Sequence, residues 1–181
     1  MVTYLLDNAS AAAEERLSRL EDVLDPGTWR ALEATGVGPG WHCLEVGAGA
    51  GSIAIWLATR VGGDGRVVAT DIDPRYIEPL DDALPNLEVR RHDITVDPLP
   101  ESSFHLVHAR LVLEHLPERE IALQRMANAL RPGGWLVIES IDFGSEAPDP
   151  AIASEQAALF MRWVKTRTRL FAERDFDLTY A

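Results

Sequence analysis

The sequence predicts an α/β fold, a doubly wound and mostly parallel sheet with helices on both faces, and three observations predict it. Short apolar runs recur at 41–46, 66–70, 86–91, 104–109 and 135–140, each bounded by turn residues, as buried strands are. Helix-length segments alternate with most of them, which is the pattern of parallel strands joined by crossovers. Glu45, Asp71 and Asp93 stand at or just past the ends of the first three strands. Right-handed crossovers put the ligand of an open parallel sheet at those carboxyl ends, near the point where strand order reverses.

The elements follow in order. Leu17, Leu20, Val23 and Leu24 recur at helical spacing and predict an amphipathic helix over 9–24. Asp25-Pro26-Gly27 is expected to break it, and a short helix over 28–35 ends at Gly36. Val37-Gly38-Pro39-Gly40 turns into the first strand. That strand runs through a glycine-rich turn into a helix over 51–61. Gly62-Gly63-Asp64-Gly65 leads to the second strand, which closes on Asp71, and Pro74 opens a helix of about ten residues. After the third and fourth strands, Pro117 starts a helix to about Leu130, which Arg131-Pro132-Gly133-Gly134 stops before the fifth strand. A last helix covers 149–173. The chain thus divides into an N-terminal helical cap or lid (1–36), a ligand-binding α/β core (37–145) and a C-terminal helical segment (146–181).

Composition narrows the class of ligand. Seventeen basic against 29 acidic residues leave a net charge of −12, a field that opposes nucleic acid and anionic membrane and favours a small-molecule substrate. No apolar run approaches the roughly 20 residues needed to span a bilayer. The N-terminus has no basic segment followed by a long apolar one, so a cytoplasmic protein is expected. Cys43 is the sole cysteine and sits in an apolar strand, as a buried, inert thiol does.

Leu44-Glu45-Val46-Gly47-Ala48-Gly49-Ala50-Gly51-Ser52 carries most of the functional information. Its glycines allow a tight turn and close approach of backbone to a ligand, and the helix behind them offers unpaired N–H groups. The spacing is G-x-G-x-G, whereas a dinucleotide fingerprint needs its third glycine where Ser52 stands. A single acid at a strand end is usually a helix cap or a solvated loop residue. Three acids on successive strands, in register with a glycine turn, form a constellation.

Glu45 followed by that turn resembles the S-adenosylmethionine-binding turn of class I, Rossmann-like methyltransferases. Three further segments extend the resemblance across about 38–140: VVATDIDP (67–74), PLPESSFHLVHARLVLEHLP (98–117) and LRPGGWLVIE (130–139). The resemblance implies transfer of the sulfonium methyl group of S-adenosylmethionine to a small acceptor, releasing S-adenosylhomocysteine. It implies that Glu45 faces the ammonium and that Gly47, Ala48, Gly49 and Gly51 lie against the methionine and ribose. Asp71 then accepts from both ribose hydroxyls, and Ile72 covers one adenine face. Asp93 takes the exocyclic amine with Ile94 beside it, and Ala109 and Arg110 border the methionine end. His115 is the candidate general base, needed only for an acceptor that must lose a proton. Glu139 and Asp142 are further candidates to meet the acceptor.

Two departures stand out. His105 replaces the aspartate usual in Phe-Asp-x-Val. After the fifth strand the family normally adds a helix and two more strands that close an antiparallel edge, whereas here only one further helix follows, so a fragment of a longer enzyme is expected, or a homo-oligomer that covers the open edge. Other features read as bland. His108, Glu114 and His115 lack a third zinc-ligand spacing, so no metal is expected. Arg162, Lys165 and Arg169 read as a solvated face, and the five tryptophans as packing residues. A cofactor-binding protein with another role, cyclase-type or non-catalytic, is the alternative. An NAD-dependent oxidoreductase fits less well, because the chain has no Tyr-x-x-x-Lys.

Overall fold

The computed structural model describes residues 12–173. Five strands, β1 (His42–Val46), β2 (Arg66–Asp71), β3 (Leu87–Arg91), β4 (Phe104–Arg110) and β5 (Leu130–Glu139), form one sheet in the order β3-β2-β1-β4-β5. All four pairings are parallel. Strand order therefore reverses between β1 and β4, and the predicted doubly wound sheet is what forms. The helices are α1 (Ala13–Ala34), α2 (Ser52–Val61), α3 (Glu78–Ala83), α4 (Arg119–Ala129) and α5 (Ser154–Ala172).

Period-two alternation splits the core into two layers. Cys43, Val67, Ala69 and Leu106 face one way and pack with Leu32 of α1 and Ile53 and Leu57 of α2. Leu44, Val68 and Val107 face the other way and pack with Met126 and Ala129 of α4. Register makes the layers continuous, since Cys43 lies opposite both Val67 and Leu106, and Leu44 opposite both Val68 and Val107. Cys43 is fully buried, and burial, helped by the charge of Glu45, pushes its thiol up to about 12.

The structure departs from the sequence expectations in four places. Asp25-Pro26-Gly27 does not break the first helix; α1 runs unbroken from Ala13 to Ala34 with Pro26 inside. Proline removes one helix hydrogen bond, but Asp25 and Thr28 on either side of it are buried and bonded to the sheet, which holds the helical path. The helix after Pro74 is a 3₁₀ turn (Pro74–Tyr76) followed by the short α3. Arg131–Gly134 lies within β5 as an irregularity: between Phe104↔Leu130 and Leu106↔Trp135, two steps along β4 match five along β5. Among the tryptophans, Trp41 and Trp56 pack against the core, whereas Trp29, Trp135 and Trp163 are exposed. Among the described residues no helix is long and apolar enough to cross a membrane.

Candidate active site

Both ends of the glycine turn are shaped by close packing. Gly47 has φ +70°, and a Cβ there would lie 2.5 Å from Val112 Cγ2; Gly51 has φ +97°, and a Cβ would lie 2.7 Å from Leu80 Cδ1. An L side chain fails at both positions on backbone and on space. The Gly47 and Ala48 N–H groups donate to the Thr70 carbonyl at 2.8 and 3.0 Å, which ties the turn to the end of β2.

Asp71 lies beside this turn. Its Oδ2 accepts from Gly49 N–H at 3.0 Å and its Oδ1 from Asp73 N–H at 2.9 Å, so the carboxylate is aimed while each oxygen keeps a lone pair. Burial raises its pKa, and the backbone N–H bonds act against that rise. Next to it the Ile72 side chain is 53% exposed, an apolar surface left open at the mouth of the sheet. Asp93 N–H donates to Asp97 Oδ2, and Asp93 Oδ1 accepts from the Thr95 N–H and hydroxyl, while Ile94 is buried in the core.

The β4 and β5 side is built differently. Glu45, His108, Arg110 and Glu139 lie on one face of the sheet, because Glu45 is opposite His108, and Arg110, two residues on, is opposite Glu139. His108 is fully buried, with Nδ1 2.6 Å from Glu45 Oε2 and Nε2 3.0 Å from Glu139 Oε1. Burial pulls its pKa down, but the Glu45 charge and the bonds to both carboxylates prevail and raise it to about 9. Glu139 Oε2 accepts from the Thr28 hydroxyl of α1 at 3.0 Å. Arg110 is turned toward α1, donating to Asp25 Oδ1 and Thr28 Oγ1, each at 2.9 Å. Ser52 at the start of α2 donates its hydroxyl to Asp25 (3.1 Å) and its N–H to Glu21 Oε1 (3.2 Å).

Of the residues expected in the site, Glu45, Gly47, Gly49, Gly51, Asp71, Ile72, Ala109 and Arg110 all fall at the carboxyl edge of β1, β2 and β4. Ala109 is buried against the sheet core. His115, on a 3₁₀ turn after β4, is inside the protein, and burial with the charge of Arg16 lowers its pKa to about 4. It is therefore neutral near pH 7. Of the lid expected over 1–36, residues 1–11, Tyr4 among them, lie outside the described residues.

Sequence reasoning missed His108, Asp25, Thr28 and Glu21 as a set, and it missed Leu111. That residue follows β4 with φ +56°, a strained backbone for a leucine, and its N–H is held by the Glu139 carbonyl at 2.8 Å. A polar pair in the middle of an otherwise apolar strand, His108 opposite Glu45, was the signal available. A cleft of about 550 Å³ lies on another face of α1, lined by Arg16, Leu20, Val23 and Leu24 with Ile141 past β5, and takes in none of the expected site residues. Among the described residues no group of three His, Cys, Asp or Glu is arranged to hold a metal ion.

The chain is similar to known proteins over this same region. It is 43% identical over 103 residues to methyltransferase str2 of Strobilurus tenacellus, covering 55% of this chain and 35% of that protein. It is 28% identical over 130 residues to the ubiquinone/menaquinone biosynthesis C-methyltransferase UbiE of Teredinibacter turnerae, covering 66% of this chain and 52% of that one. The chain thus spans about a third to a half of the length of these relatives. Among solved structures, N-methyltransferase NodS from Bradyrhizobium japonicum WM9, in complex with S-adenosyl-L-homocysteine, superposes with a TM-score of 0.57 at 25% identity, over 73% of this chain and 72% of NodS. The methyltransferase domain model matches residues 44–138, from the first site strand to the fifth and just over half of the sequence, so the chain belongs to the methyltransferase domain family.

Proposed function

We propose that this chain binds S-adenosylmethionine at the carboxyl edge of its sheet and takes part in methyl transfer to a small, largely apolar acceptor. The observation that carries this is Asp71, buried, held by two backbone N–H groups beside the glycine turn, and flanked by the open Ile72 side chain. An aimed carboxylate with free lone pairs suits a pair of vicinal hydroxyls, and an apolar side chain beside it suits a purine face. The tight Gly47–Gly51 turn gives the remainder of the cofactor a close backbone wall. Asp93 and Ile94 lie past β3 on the adenine side, and Ala109 and Arg110 on the methionine side.

When bound beside the Gly47–Gly51 turn and Asp71, the cofactor would supply a methyl group activated by positively charged sulfur, with a neutral thioether as the leaving group. The task of the protein is to align cofactor and acceptor and exclude water. His115 lies near the cleft by virtue of Arg16, which lines that cleft and depresses the imidazole. As a neutral ring it can accept a proton, but a group held near 4 is a weak base, which favours an acceptor that is already nucleophilic. The ubiquinone/menaquinone biosynthesis named for one relative supports a small, apolar acceptor. The relatives are described as C- and N-methyltransferases, so the atom methylated follows from the acceptor. A cytoplasmic setting suits such a substrate and the single buried cysteine.

Calorimetric titration of S-adenosylmethionine into the intact chain tests the reading, with Asp71→Ala as control. Micromolar binding that is lost in the variant supports it; a folded protein that does not bind refutes it. Product mass then tests the chemistry: a gain of one methyl group is expected, whereas an isomer of the substrate overturns methyl transfer.

A further inference from the structure

Helix α1 meets the rest of the protein along one stripe. Leu17 packs 3.5 Å from the position a Gly49 Cβ would take, Glu21 and Asp25 hold Ser52, Asp25 also takes Arg110, Thr28 takes Glu139, and Leu32 enters the core. Spacings of four, four, three and four residues put all five on one helix face. The same helix therefore lies over the glycine turn at its start and is bonded to the sheet further along.

The bonds to the sheet converge on His108. A neutral imidazole has one N–H, yet here both ring nitrogens are within hydrogen-bond distance of carboxylate oxygens, which accept only. Two donors are needed, so the ring is an imidazolium. The groups facing it are Glu45 from β1 and Glu139 from β5. Arg110 from β4 lies on the same sheet face, and Asp25 and Thr28 from α1 close the cluster. Three carboxylates and two cations leave one net negative charge. Without the ring proton that becomes two, and one carboxylate loses its donor.

We infer that His108 is a positioning residue: by holding Glu45 through Nδ1 and Glu139 through Nε2, it joins the strand end beneath the glycine turn to helix α1 above it, so that filling of the cofactor site and seating of α1 are coupled. The inference rests on the reading of the site given above. Glu45 is one bond from His108, and Thr28 is two bonds from it through Glu139. A change at either end reaches the other without passing through loop residues.

The test uses the intact chain and four proteins: the unaltered chain, His108→Gln, Thr28→Val and Asp71→Ala. If the unaltered chain does not bind S-adenosylmethionine, the site reading fails, whatever His108 does. If it binds, Thr28→Val and His108→Gln are each expected to weaken binding about tenfold, the effect of one charge-assisted hydrogen bond. Amide exchange of α1 supplies the readout that a merely structural role would not move. Cofactor should slow α1 exchange in the unaltered chain and leave it unchanged in Thr28→Val at saturating cofactor. Nitrogen-15 spectra should show both His108 nitrogens protonated at neutral pH. Should His108→Gln fail to fold, Thr28→Val and the spectra decide. Cofactor-induced protection of α1 that persists in Thr28→Val, or a His108 ring that is neutral at pH 7.5, would overturn the coupling.

Discussion

On the β2 side of the site, Asp71 is bonded to Gly49 and Asp73, partners 22 and 2 positions away, and stands next to Ile72. On the β5 side, Glu139 is bonded to Thr28, 111 positions away, and His108 to Glu45, 63 positions away. The first half is a turn and its two neighbouring strand ends, closed mainly by backbone N–H groups. The second half exists only once β1, β4 and β5 are in register and α1 is laid across them. Backbone geometry repeats wherever the same turn residues occur, whereas a side-chain network depends on what each distant strand places opposite the next.

That contrast makes the two halves separable by experiment. The largest effect is expected from Asp71→Ala, which frees the Gly49 N–H and, on the proposed reading, takes away the acceptor of two ribose hydroxyls. Cofactor affinity should fall by at least about a hundredfold, since two charged hydrogen bonds are worth roughly 1.5–3 kcal/mol each, while circular dichroism stays native. Gly47→Ala acts on the turn itself, adding left-handed strain and a clash with Val112. It should cost about 2–4 kcal/mol in urea unfolding, and Val112→Ala in the same chain should restore part of that.

Alkaline pH acts on the other half. The His108 pKa is raised from its ordinary 6.5 to about 9, so its stabilisation is complete below about 6.5 and is lost as pH rises through about 9. Cys43 adds to the loss above its ordinary value of 9.0, because the unfolded thiol ionises there and the folded one does not until about 12. Urea titrations from neutral to alkaline pH should therefore show falling stability, with the first part absent in His108→Gln and the second absent in Cys43→Ala. The smallest effect is expected from Ile72→Ala. It trims an exposed apolar wall and should weaken cofactor several-fold, with no change in melting temperature, since the side chain contributes little to the core.

The same contrast explains what could be read from sequence. The β-α order, the glycine turn and Asp71 were legible because each depends on residues close together in the chain. Helix α1 shows the opposite. Its apolar positions 17, 20, 23 and 24 suggested a buried stripe, yet Val23 is 76% exposed, and the inward face carries Glu21, Asp25 and Thr28. Periodicity counts apolar residues, and here the face that matters is bonded to polar groups on the sheet. Pro26 misled for the same reason: a tertiary network held the helix through a residue that ends helices when nothing else intervenes. Arg110 was placed correctly at the strand end, but its turn toward Asp25 depends on α1, which no local pattern announces.

Cys43 gives this molecule an internal clock. The sole thiol lies in the central strand, in the layer that α1 and α2 cover and two residues before Glu45. A reagent that modifies only thiolate must wait for that strand to be uncovered, so the labelling rate in native buffer reads out how often the sheet beneath the site opens. No tag or added label is needed, and every variant above carries the same timer except the one that removes it.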